Sequence, residues 1–123
     1  MLSREAYEHM KRPHGVSPLP MVDFQGIAGT EGQGPFYILF IQVLEEKIEG
    51  ASFRTYCCPW ANAIGSALTK LISGKALAEA SQVSADQISS ELGGVPRDKR
   101  YLVPLAVAAL QNTMKNIEVL RKS

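Results

Sequence analysis

The run Phe36-Tyr37-Ile38-Leu39-Phe40-Ile41-Gln42-Val43-Leu44 limits what this chain can fold into more than any other stretch. It is apolar almost throughout and rich in β-branched and aromatic residues, the signature of a strand. It also falls well short of the roughly 20 residues that a membrane-spanning helix needs. A strand needs a partner. Glu45-Glu46-Lys47 reads as a turn and Ile48 to Tyr56 as the returning strand, which predicts an antiparallel hairpin. The turn carries no Asn-Gly type of signal, so the hairpin register stays open.

Elements on either side extend this picture. Ser3 reads as the cap of a short helix with Leu2, Ala6 and Met10 on one face, ending before Pro13. Pro13, Pro18 and Pro20 make the following segment irregular, and Val22 to Ala28 reads as a short edge strand. Gly29, Gly32, Gly34 and Pro35 form a loop, not a phosphate cradle, because no Gly-Lys-Ser/Thr element follows them. After Pro59, the residues Ile64, Leu68, Leu71 and Ile72 recur at helical spacing up to Gly74. Leu77 and Ala80 suggest a further helical turn. Ser84-Ala85-Asp86-Gln87 has the form of a capping box, with Val83 and Ile88 as its staple, and Gly93-Gly94 ends that helix. Leu102, Leu105, Ala109, Leu110, Met114 and Ile117 stripe a last helix, and Pro104 fits only in its first turn. The predicted fold class is α+β: a small antiparallel sheet covered on one face by helices. The 123 residues, 46% hydrophobic, suit a single domain spanning 1–123, with residues 1–20 as an N-terminal helical arm and Pro-rich segment.

Charge narrows the function classes. With 13 basic and 12 acidic residues the net charge is +1, which favours neither nucleic acid nor an anionic membrane as partner. Met1 to Met10 lacks the apolar centre of a secretion signal, so a cytoplasmic location is expected. No Ser-His-Asp set or close carboxylate pair is visible, which argues against a hydrolase and for a non-enzyme. His9 and His14 read as solvated or helix-packing residues of the arm. Glu79, Asp86 and Glu91 read as solvated helix faces.

The chemistry concentrates at the junction Phe53-Arg54-Thr55-Tyr56-Cys57-Cys58-Pro59-Trp60, which holds both cysteines and the only tryptophan. Adjacent cysteines cannot form an unstrained disulfide, since one peptide holds their Cα atoms too close. A thiol at a helix start meets unpaired N–H groups and the positive end of the dipole, which favour its thiolate. Three readings stay open: two protomers that share an iron-sulfur cluster or zinc through Cys57 and Cys58, a sulfur relay on Cys58 assisted by Arg54 with Cys57 to resolve or store the sulfur, and a buried apolar thiol in an interaction module. Trp60 is expected to be an exposed contact residue.

The order of these motifs resembles the IscU/NifU-type scaffold family of iron-sulfur cluster assembly. The resemblance rests on Phe53-Arg54-Thr55-Tyr56-Cys57-Cys58 with the helix through Gly65-Ser66-Ala67-Leu68-Thr69, and on Glu91-Leu92-Gly93-Gly94-Val95-Pro96 through Lys99 to Leu110. It implies three cysteine ligands with an aspartate and a histidine nearby. The family's second cysteine falls on Cys58. Its first falls on Gln33, with Pro35 in place of the aspartate, and its third on Leu102, with Tyr101 in place of the histidine. Neither Leu102 nor Pro35 offers a side-chain ligand, and Gln33 is a weak donor for iron or zinc. A cluster takes about four thiolates, so the degenerate set predicts that one monomer does not hold a standard cluster. The resemblance further implies protein partners of iron-sulfur assembly or sulfur transfer, a cysteine desulfurase-like protein among them, met through Trp60, Val95, Pro96 and Lys99. The family's chaperone-docking segment is altered here to Val95-Pro96-Arg97-Asp98-Lys99, which argues against the same Hsp70-type partner.

Overall fold

The computed structural model describes residues 2–56 and 58–122. Cys57, half of the predicted thiol pair, lies outside the described residues. Among them the element order is α1 (Arg4–Lys11), β1 (Phe24–Gly29), β2 (Phe36–Leu44), β3 (Lys47–Thr55), α2 (Pro59–Ile72), α3 (Leu77–Ala80), α4 (Ala85–Glu91), a 3-10 turn (Arg97–Lys99) and α5 (Leu102–Lys122). The strands form an antiparallel sheet in the order β1-β2-β3, so the α+β expectation and the edge placement of β1 both hold.

The central run became the middle strand because its alternate side chains serve two faces. Tyr37, Leu39 and Ile41 point to the helices and are at most 1% exposed. Their neighbours Ile38 and Phe40 share the opposite face with Ser52 and Arg54, as the pairs Ile38↔Arg54 and Phe40↔Ser52 require. The hairpin turn is tighter than the sequence suggests. Lys47 belongs to β3, and Glu45 and Glu46 alone reverse the chain, with φ of 51° and 67°. Positive φ at both central residues is the geometry that matches strand twist, adopted here without the Asn or Gly that normally signals it.

Helix caps follow the sequence closely. Ser3 accepts from the Ala6 N–H, and Ser84 and Gln87 complete a reciprocal capping box. Val83 and Ile88 are both buried beside it. Leu2, expected on the buried face of α1, is 44% exposed, because it precedes the cap and Ala6 and His9 take the buried positions.

Glycine sets two close approaches. A Cβ at Gly65 would strike the Phe53 ring, so α2 lies directly on β3 through that ring. A Cβ at Gly26 would strike the backbone of α5 at Thr113 N and Ala109 O. That proximity brings Asn112 Nδ2 to the Ile27 carbonyl at 2.8 Å and Asn116 Nδ2 to the Gln25 carbonyl at 2.6 Å. The outer edge of β1 is thereby bonded to a helix. On the far edge of β3, the Phe53 N–H donates to Gly15 O at 2.8 Å, the Ile48 N–H to Lys75 O at 2.9 Å, and the Gly74 N–H to Ile48 O at 2.8 Å.

Candidate functional site

Three chain segments meet at one end of the sheet. The loop between β1 and β2 carries Gln33 and Pro35, β3 leads through Tyr56 to Cys58, and Tyr101 precedes α5. Hydrogen bonds tie them together. The Thr55 hydroxyl donates to Phe36 O at 2.6 Å, and the Tyr37 hydroxyl donates to Ala61 O at 2.6 Å, which clamps the start of α2 to the middle strand. Arg54 reaches Glu31 of the loop at 3.0 Å. The neighbouring Tyr101 hydroxyl, then burial and the charges of Tyr101 and Cys58, push the Tyr56 phenol above its ordinary pKa. Burial, and then the charge of a Cys58 thiolate, raise Tyr37 well above the usual phenol range.

Cys58 is the N-cap of α2, in extended backbone, with Pro59 at the first helical position. It is a free, half-buried thiol whose side chain makes no capping bond, so the first N–H groups of a 14-residue helix stay available beside it. The positions that the resemblance matches to the other ligands have these surroundings. Gln33 is exposed in the loop, Pro35 is half-buried, Tyr101 is 50% exposed, and Leu102 is wholly buried in the core. Among the described residues no three His, Cys, Asp or Glu side chains converge.

Several expectations need correction. Trp60 is half-buried and packs against the core, because it falls in the first turn of α2 where the helix meets the sheet. Val95 is 6% exposed and belongs to the core, so of the expected contact residues around it only Pro96 and Lys99 keep surface, each half-buried. Arg54 lies on the sheet face opposite Tyr37 and pairs with Glu31, away from its expected role beside the thiol.

The largest departure concerns the arm. His9 is 8% exposed, with Nδ1 2.6 Å from Ser66 Oγ and Nε2 2.9 Å from Glu91 Oε2. Because a carboxylate only accepts, Nε2 carries the proton in neutral His9, and the Ser66 hydroxyl donates to Nδ1. Ser66 also accepts from the His14 N–H at 2.7 Å, and His14 Nδ1 lies 2.9 Å from Thr69 Oγ1. Lys70 completes the array with a 2.8 Å bond to Glu91. Of the two alternatives for His9 the helix-packing one holds, whereas Glu91 is not the solvated residue expected; together they fasten α1 to α2 and α4. The Ser66-His9-Glu91 order resembles a hydrolytic triad, but Ser66 is 0% exposed and cannot reach a substrate. The array is structural. Burial works to raise the Glu91 carboxyl, yet the hydrogen bonds and charges of Lys70 and His9 outweigh it and hold the pKa below the ordinary carboxylate value. Burial, then the charges of His9 and Lys70, lower that of His14.

A small antiparallel sheet backed by helices, with a cysteine-bearing helix start at the apex where two further segments meet, defines a scaffold-type α+β domain. The chain belongs to the family described as NifU-like N terminal domain, which matches residues 1–122. It is 29% identical over 123 residues to iron-sulfur cluster assembly scaffold protein IscU 1 of Archaeoglobus fulgidus, covering 100% of this chain and 79% of the relative. It is 28% identical over 116 residues to the scaffold protein IscU of Aquifex aeolicus, covering 93% of this chain and 74% of the relative. The fold is shared with the N-terminal part of a NifU-like protein from Brucella abortus, with a TM-score of 0.54, 11% identity, and coverage of 89% and 76% of the two chains.

Proposed function

We propose that this chain is a divergent, non-catalytic member of the iron-sulfur assembly scaffolds that does not hold a standard cluster as a monomer. One observation carries the reading: at the apex Cys58 is the one soft donor among the described positions, while the corner matching the third cysteine is filled by Leu102 at 0% exposure. A buried leucine there makes that corner part of the core. Its protein partners would be components of iron-sulfur assembly or sulfur transfer. The test is anaerobic reconstitution with iron and sulfide, followed by visible absorption, iron counting and size-exclusion chromatography. A near-stoichiometric cluster on the monomer overturns the proposal. A cluster confined to a dimer, and lost in Cys57→Ser and Cys58→Ser variants, identifies a site shared between protomers.

A second reading has its own support, since Cys58 is a free thiol at a helix start whose first N–H groups no side chain caps. In it Cys58 accepts sulfur from a cysteine desulfurase-like donor and passes it on. Incubation with a desulfurase and cysteine should then add one sulfur to Cys58 by mass spectrometry; an unmodified Cys58 eliminates this reading.

A further inference from the structure

The Pro-rich segment after α1 is a strap tied at both ends across the sheet face that the helices leave bare. At one end the Gly15 carbonyl accepts from the Phe53 N–H at 2.8 Å. At the other, the Asp23 N–H donates to Ile41 O at 2.9 Å and Asp23 Oδ2 accepts from the Val43 N–H at 2.7 Å. Between the ties Leu19 rests on Gly50, where there is no side chain to displace it. Under the strap lies an open cavity of about 340 Å³, walled by Val16, Leu19, Val22 and Phe40.

Two polar groups break this apolar lining. Ser52 is 5% exposed, yet its hydroxyl makes no hydrogen bond to any described residue. Among the described residues no buried polar side-chain atom is left without a partner, so the Ser52 oxygen opens into the cavity it lines. A hydroxyl in that position is free to donate to or accept from a group bound in the cavity. Arg54 is the only charged residue of the lining. Its guanidinium already holds the Glu31 carboxylate, but both side chains are at least half exposed, at 59% and 50%. Such a pair is weak and exchangeable.

We propose that this cavity binds a small amphipathic monocarboxylate, its alkyl chain between Phe40 and the strap and its carboxylate on Arg54 and Ser52. The fork of an arginine matches a carboxylate in two parallel bonds, and Glu31 shows the guanidinium accepting that group here. The volume lies at the small end of ligand pockets, which suits a chain of roughly eight carbons. The site adjoins the cysteine apex through the Arg54–Glu31 pair but uses none of the positions matched to cluster ligands, and stands whether or not a cluster binds there.

The test is a backbone amide NMR titration of the full chain with octanoate, octanol and acetate. Octanoate should give saturable shifts at Val16, Phe40, Ser52 and Arg54, with a dissociation constant on the order of 1 mM, about what ten non-hydrogen atoms supply. Octanol should bind about tenfold more weakly, and Arg54→Gln should weaken octanoate by a similar factor while leaving octanol unchanged, one charge-assisted contact being lost. Arg54 is largely exposed, so this variant keeps the fold even where Ser52→Val does not. Equal binding of octanol and octanoate, undiminished octanoate binding in Arg54→Gln, or an absence of saturable shifts beneath the strap each overturns the proposal.

Discussion

Gly26→Ala tests how closely α5 is seated on the sheet. The added Cβ would sit 2.7 Å from Ala109 O and nearer still to Thr113 N and Oγ1. Comfortable contact needs about 3.5 Å, and two of these atoms are backbone, so the helix itself has to retreat by roughly 1 Å. That retreat lengthens the Asn112 and Asn116 bonds to β1 from 2.8 and 2.6 Å to a range where they no longer count as hydrogen bonds. Two bonds at about 1 kcal/mol each, added to about 1–3 kcal/mol for an overpacked contact, give a loss of about 3–5 kcal/mol. A small domain has only about 5–15 kcal/mol in total, so the variant should unfold at a much lower denaturant concentration. Urea unfolding followed by circular dichroism reads the change, with an unchanged slope confirming that both proteins unfold alike. A loss under about 1 kcal/mol would refute the seating described, since side-chain rearrangement alone cannot clear a backbone clash.

Three further outcomes follow from the same geometry. The arm should loosen in acid: His14, held below its usual pKa of 6.5 in the folded chain, gains its proton more readily when the arm is released, so docking weakens as pH falls below about 6.5. Glu91 acts in the same direction at lower pH, because its depressed pKa gives stability that is lost as the carboxylate protonates; the protection of α1 amides, corrected for the intrinsic pH dependence of exchange, should fall from about pH 7.5 to about pH 4, and constant protection would exclude the linkage. Ser84→Ala removes one half of the capping box and should lower stability by about 1 kcal/mol in thermal unfolding, with α4 amides the first to lose protection. Tyr101→Phe removes the neighbouring hydroxyl that raises the Tyr56 phenol, so a spectrophotometric titration should show one tyrosine ionising at lower pH than before; an unchanged Tyr56 would separate the two rings.

What the sequence reveals depends on how local each determinant is. The strand run, the Ser84 box, the Pro59 helix start and the stripe of α5 are written within a few residues, and all are found where expected. The Glu45-Glu46 turn escapes notice because its positive φ angles are imposed by strand pairing and not by residues that prefer them. The arm array escapes for a different reason, since its partners are 57 and 82 residues apart and only the tertiary fold joins them. Trp60 and Val95 mislead in the opposite direction. Each stands among polar or helix-breaking neighbours that suggest surface, while packing between helix and sheet draws it inward. At the apex Cys58 is legible from its junction alone, but its convergence with the Gln33 loop and Tyr101 is legible only through the family resemblance.

The two carboxamides of α5 along β1, with the Gly15 and Lys75 contacts along β3, also bear on assembly. Strand-by-strand growth between copies needs a row of unsatisfied amide and carbonyl groups on an outer strand. Here Asn112 and Asn116 occupy that row as a stand-in neighbour, and loop backbone occupies part of the other. Any pairing of two protomers is thereby steered away from continuous sheets and towards side-chain surfaces, the cysteine apex among them.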